Sequence, residues 1–195
     1  MRTRQVLSIT FAVVVCAAIL YAGWHRDRAA QFEADFQPGG EVTLDLSAGG
    51  YTIQGTTENK IRVEVETYDK EDVRSEIAVN GNRAKLAVEG PASNFDATIY
   101  VPQHTDLTVY QTIGELRVRG IEGNKSLGLN IGKISVDVID PAKVKSVDAS
   151  VKIGNVHAGP WHLGRGGFFR SFRAGGQGPY RLSANLDIGD IELND

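Results

Sequence analysis

Two rows of polar residues recur at matching points of a repeated pattern, and these are the first candidates for chemistry. Glu115, Lys133, Asn155 and Asp190 each directly follow an Ile-Gly pair, and Arg117, Ser135, His157 and Glu192 lie two residues further on. If the repeats stack, each set forms a ladder with neighbours ~4.8 Å apart. Such a ladder is either a solvated lattice of charges, with Glu115 beside Lys133, or a line of ligands; the charge lattice is the expectation. A third group, Asp187, Asp190, Glu192 and Asp195, gathers toward the C-terminus. Acidic residues that alternate along one strand do not wrap a calcium ion, so they are expected to guard an open sheet edge.

The segment 160–180 has a different character. It carries Trp161, Phe168, Phe169, Phe172 and Tyr180 with His162, Arg165, Arg170 and Arg173, and no Asp or Glu occurs between Asp148 and Asp187. Its many glycines predict an irregular insertion. Trp161, Arg165, Phe169, Arg170 and Arg173 form a candidate surface for an anionic polymer, lipid headgroups or a protein partner. The competing arrangement uses Phe168, Phe172 and Tyr180 to cap the core and leaves the arginines in water.

No catalytic signature accompanies these groups. There is no Gly-x-Ser-x-Gly elbow, no His-Glu-x-x-His and no P-loop. His104, His157 and His162 have no Ser or Asp partner at motif spacing, and Cys16, the single cysteine, lies in an apolar run. One cysteine also excludes an internal disulfide framework and a thiolate zinc site. A formal charge of -3 gives no reason to expect nucleic acid. Neither an enzyme, a metal nor a cofactor is expected.

The elements that would position these residues follow from periodicity. From residue 41 onward apolar residues alternate with polar ones, as in Val42, Leu44, Leu46 and in Ile61, Val63, Val65. That period of two predicts strands with one buried face. Each repeat is an alternating stretch, then Ile-Gly, then a second stretch whose apolar phase has moved by one residue, so a bend is expected at Gly114, Gly132, Gly154 and Gly189. Intervals near 20 residues between the first three predict a β-solenoid, β-helix-like, whose coils bury their faces on one another. Asn80-Gly81-Asn82 between two apolar runs predicts an antiparallel hairpin region added beside the coils.

Before the strands, residues 6–24 carry no charge. As a helix they would span about 28 Å, close to the ~30 Å hydrocarbon core. Arg2 and Arg4 precede them, which places a short tail, residues 1–5, in the cytoplasm and the body outside. A transmembrane signal anchor is expected, with a cleaved signal peptide as the alternative. Residues 25–40 read as a connector, helical from Arg26 to Phe36 and ended by Pro38-Gly39-Gly40, and residues 41–195 as one all-β domain.

The stretches IYVPQHTDLTV and IGELRVRGIEG, with the recurring Ile-Gly-x-Ile/Val, resemble the bacterial adhesin-like family of unknown function over roughly residues 40–195. The resemblance implies an exported, membrane-anchored β-solenoid, and for some members a place beside cell-envelope stress systems. It carries no catalytic residues across. The expected protein is a non-enzymatic cell-envelope binding module, single-pass in the cell membrane, with its domain extracytoplasmic. The alternatives are a membrane-anchored regulator of envelope stress sensing and, behind it, a polysaccharide-active β-helix enzyme. Expected partners are the membrane itself and an envelope polymer or membrane protein.

Overall fold

The computed structural model describes residues 28–67, 73–91, 95–138 and 140–194. The apolar run 6–24 lies outside the described residues, and no helix among them is long and apolar enough to cross a membrane. The described chain is all-β. Its strands are β1 (Arg28–Asp35), β2 (Glu41–Leu46), β3 (Gly49–Thr56), β4 (Lys60–Thr67), β5 (Arg74–Asn80), β6 (Arg83–Glu89), β7 (Phe95–Pro102), β8 (Asp106–Arg119), β9 (Lys125–Asp137), β10 (Val144–Ala158), β11 (Leu163–Gly175) and β12 (Tyr180–Asn194).

Four long strands, β8, β9, β12 and β10, lie parallel and in register, so that Gly114, Gly132, Gly189 and Gly154 are neighbours. Each strand has two arms that meet at its glycine. In β8 the inward residues are Leu107, Val109 and Gln111, then Leu116 and Val118. The inward phase thus changes at the bend, and both arms feed one hydrophobic core. The same coil is built from two separate strands elsewhere. The β2–β3 pair lies beside β8, and β6 and β7 lie parallel to β2 and β3. The hairpin expected at Asn80-Gly81-Asn82 joins β5 to β6, with Gly81 at φ +61°.

Three expectations are corrected. Arg28–Asp35, read as part of a helical connector, is strand β1, antiparallel to β4. Phe32 packs on the core and Phe36 is buried, so the aromatic spacing serves a period of two. Second, the coils do not follow chain order as those of a solenoid would: β12 inserts between β9 and β10. The loop from β11 to β12 must cross the start of β10. Gly176 and Gly178 allow this, since a Cβ at either would strike the Val144 or Lys143 backbone. Asn124, immediately before β9, ties β8 to β12: its amide groups donate to the Asp106 carboxylate at 2.8 and 3.0 Å, and its side-chain oxygen accepts from the Arg181 N–H at 3.0 Å. Third, β12 is therefore interior, so its acidic residues guard no open edge, and Asp195 is outside the described residues.

The bend demands glycine. Gly49, Gly114, Gly132, Gly189, Gly154 and Gly167 form one row across six neighbouring rungs, all with φ between +120° and +151°. At each of the four central positions an added Cβ would collide with the carbonyl of the next glycine in the row. Gly132→Ala is therefore expected to cost more than about 3 kcal/mol or to prevent folding, combining backbone strain with a clash against rigid backbone. Gly81→Ala, at a turn with nothing within 4 Å of the new methyl, should cost only about 1 kcal/mol. Urea denaturation of both variants checks the difference.

Candidate functional site

The two arms present outer faces of different composition. The second arms carry the rows expected from the sequence. Glu115, Lys133, Asp190 and Asn155 are successive rungs, and so are Arg117, Ser135, Glu192 and His157. The contacts run along a strand, diagonally and straight across. Glu115 meets Arg117 at 2.6 Å, Lys133 meets Glu192 at 2.8 Å, and Asp190 accepts from the Asn155 side chain at 2.6 Å. Contact with Glu192 raises the Lys133 ammonium above its ordinary range. This face is a solvated lattice in which most charges have partners, and among the described residues no group of three His, Cys, Asp or Glu could hold a metal.

The first arms mix small neutral groups with charged pairs. Reading outward positions from β8 to β10 gives Thr108, Ser126, Ser183 and Asp148 in one row and Tyr110, Gly128, Asn185 and Ser150 in the next. Nearer the bend, Lys152 of β10 meets Asp187 of β12 at 2.7 Å. Ser150 donates to the Asn185 side-chain oxygen at 2.8 Å, and Asn185 donates to Ser183 at 3.3 Å. Tyr110 is 57 % exposed. Its neighbour Gly128 has no side chain to cover the ring. The result is a cluster of hydroxyls and amides with one aromatic platform, bordered by the Asp45–Lys85 and Asp148–Arg173 pairs.

A third surface lies on the bend. Ile113, Ile131, Ile188 and Ile153 are successive rungs, each 45–47 % exposed, and Phe168 of β11 continues the row at 68 %. Each isoleucine stands two residues past the last inward residue of the first arm. In a straight strand it would point inward, but the glycine bend turns it out. The sequence holds the clue: a residue caught between two inward phases of opposite parity has no place in either wall.

The segment 160–180 is more regular than expected, because β11 runs antiparallel along β10 as the edge of the stack. It divides the candidate surface. Trp161 packs against the core with its ring 5.4 Å from that of Phe172, which is itself buried. Phe169 is 82 % exposed at a left-handed φ of +50°. Arg170 donates to the Gly166 carbonyl at 2.8 Å, and Arg173 meets Asp148 at 3.0 Å. Arg165 is opposite Val156 in the ladder, and its side chain is outside the described residues. Of the other four, Trp161 packs inward while Phe169, Arg170 and Arg173 stay at the surface.

One cleft sits at the end of β9, β10 and β12. Its cavity volume is about 30 Å³, with Ile121, Lys125, Val136, Val138, Tyr180 and Leu182 among its lining. Lys125 donates to the Gly123 carbonyl at 3.0 Å. Burial lowers its pKa from 10.5 to about 8, against the pull of Asp106 and Glu122. At the rim, Lys143 meets Glu122 at 2.8 Å and holds that carboxyl below its ordinary range. The buried ammonium destabilises the fold below pH 8. As pH rises from about 8 to 10.5 the folded chain loses this proton before the unfolded chain does, so stability increases across that window. Lys125→Met should stabilise the protein at pH 7 by roughly 1–3 kcal/mol and flatten that rise, as read by denaturant titrations at several pH values.

No family model matches the chain, and no curated protein does. Solved structures do resemble it. A candidate cell-adhesion protein from Clostridium sporogenes, 14 % identical, matches with a TM-score of 0.53 over 84 % of this chain and 98 % of its own. A candidate adhesin from Bacteroides fragilis, 10 % identical, aligns over 84 % of this chain and 96 % of its own with a TM-score of 0.27. At such identities the first likeness establishes a shared fold and nothing more.

Proposed function

We propose that the chain is a non-enzymatic, adhesin-like binding module of the bacterial cell envelope, held in the membrane by residues 6–24 with its β body outside. The body on this reading is β-helix-like, with its coils permuted in order. The uncharged run and the preceding Arg2 and Arg4 support the location. The Clostridium sporogenes fold match is in keeping with the role.

The observation that carries the binding role is the outer face of the first arms. A sheet presenting Thr108, Ser126, Ser183, Asn185 and Ser150 along the rungs that lead away from the exposed Tyr110, with the bordering Asp45 and Asp148 held in ion pairs, suits a hydroxyl-rich polymer. Hydroxyls and amides both donate and accept, and an aromatic ring stacks on the apolar face of a sugar. The other face carries the Glu115–Arg117 and Lys133–Glu192 ion pairs and fewer hydroxyls. A polysaccharide lying across the strands would meet a new rung every ~4.8 Å.

Retention of the detergent-solubilised full chain on purified peptidoglycan and on a panel of neutral and anionic polysaccharides tests this reading. At least one polymer should retain it. Tyr110→Ala should weaken that binding about tenfold, equivalent to roughly 1.4 kcal/mol, whereas Lys133→Ala on the opposite face should leave it unchanged. Retention by no polymer, or equal retention of Tyr110→Ala, overturns the proposal.

A further inference from the structure

The apolar ridge on the bend needs an occupant. Four half-exposed isoleucines and Phe168 stand in an unbroken row, with Phe169 beside its end. Together they present on the order of 500 Å² of apolar surface, the size at which a patch on a monomer is commonly functional. A stable dimer takes about 800 Å² from each partner, so the ridge is small and narrow for a second copy. A row of side chains along a convex edge is instead shaped to dip into a soft interface.

The point where the chain enters the sheet identifies that interface. Arg28 pairs with Glu66, Glu66 with Asp96, Asp96 with Gly50, and Gly50 with Glu115. The start of β1 is therefore on the line that runs beside the glycine row, at the same bend as the ridge. Four strand spacings, ~19 Å, separate β1 from β8, and the ridge extends a further ~19 Å to β11. From Trp24, the last residue of the uncharged run, to Arg28 the chain can reach at most about 14 Å. An anchor ending at Trp24 holds this edge of the body, rather than the far ends of the arms, close to the bilayer.

We infer that the ridge Ile113–Ile131–Ile188–Ile153–Phe168 rests in the lipid interface of the membrane that holds residues 6–24. The body then has two attachments, the anchor at the β1 end and the ridge extending to the β11 end. Both arms project from the membrane, and the hydroxyl-rich face stays open to the envelope. The inference rests on the anchor proposed for residues 6–24 and is independent of any polymer.

The test uses the full chain with Cys16→Ser, reconstituted in vesicles of phosphatidylcholine with a minor share of phosphatidylglycerol. Ile153→Cys on the ridge and Thr108→Cys on the first-arm face are each labelled with a polarity-sensitive fluorophore. The ridge label should emit at shorter wavelength and be at least about threefold less accessible to aqueous iodide than the face label. This protection should persist when the protein is diluted in lipid. Equal quenching of the two labels in protein that floats with vesicles after an alkaline wash overturns the ridge contact and leaves the anchor standing. Failure to float overturns both. Protection that fades on dilution in lipid assigns the ridge to a second copy and also overturns the inference.

Discussion

A single steric rule governs this fold: at the bend, the backbone of one rung leaves no room for a side chain on the next. Gly114, Gly132, Gly189 and Gly154 each face the carbonyl of a neighbouring glycine where a Cβ would stand. Each glycine is thus required by the one beside it, and the row holds only if its members stay in register. Register in turn sets everything outside the core. It brings the hydroxyls of the first arms into rows, sets the charges of the second arms within reach of one another, and stacks the four isoleucines. A slip of one residue would turn every inward side chain outward and would also break the glycine row.

The bend separates functions as well as walls. Hydroxyl side chains gather on the first arms, whereas ion pairs occur on both: Lys152–Asp187 and Arg173–Asp148 on the first, Glu115–Arg117 and Lys133–Glu192 on the second. In β9 the first arm exposes Ser126 and Asn130 and the second carries Lys133, Ser135 and Asp137 on its outer positions. On both arms charged groups meet within the chain, where exposed pairs contribute little to stability but leave few free charges. Gln111 serves the corner itself, donating to the carbonyls of Gly49 and Ile113 at 2.8 and 3.1 Å and so tying the β2–β3 coil to β8.

Much of this was legible in the residues. Alternation with a phase change at each Ile-Gly gave the strands, the bends and the membership of both charged rows. The order of the rungs was not legible, because β9, β10 and β12 share one pattern and any of them could lie beside any other. Only the crossing of β10 by Gly176 and Gly178, a three-dimensional event, selects the neighbour. β1 was misread because charged residues around Ala30, Phe32, Ala34 and Phe36 obscured a period of two. The candidate surface at 160–180 was legible as composition but not as geometry: aromatic residues mark both cores and binding faces, and Phe172 draws Trp161 inward while Phe168 and Phe169 stay out. The exposed isoleucines were overlooked because an apolar residue in an alternating strand is ordinarily assigned to the core.

The insertion of β12 between β9 and β10 has a kinetic consequence. The pairing order leaves β9 and β10 without a shared edge until residues 180–194 arrive to bridge them. A chain made or threaded N-terminus first can join β2 and β3 to β8 and β9 early, but its other half must wait with two parallel edges open. Long-range parallel pairing is slow for entropic reasons, and open edges invite wrong partners. Completion of the wall is thus a late, nearly all-or-none event, in which a chain cut short before Tyr180 would lack an interior strand rather than a dispensable tail.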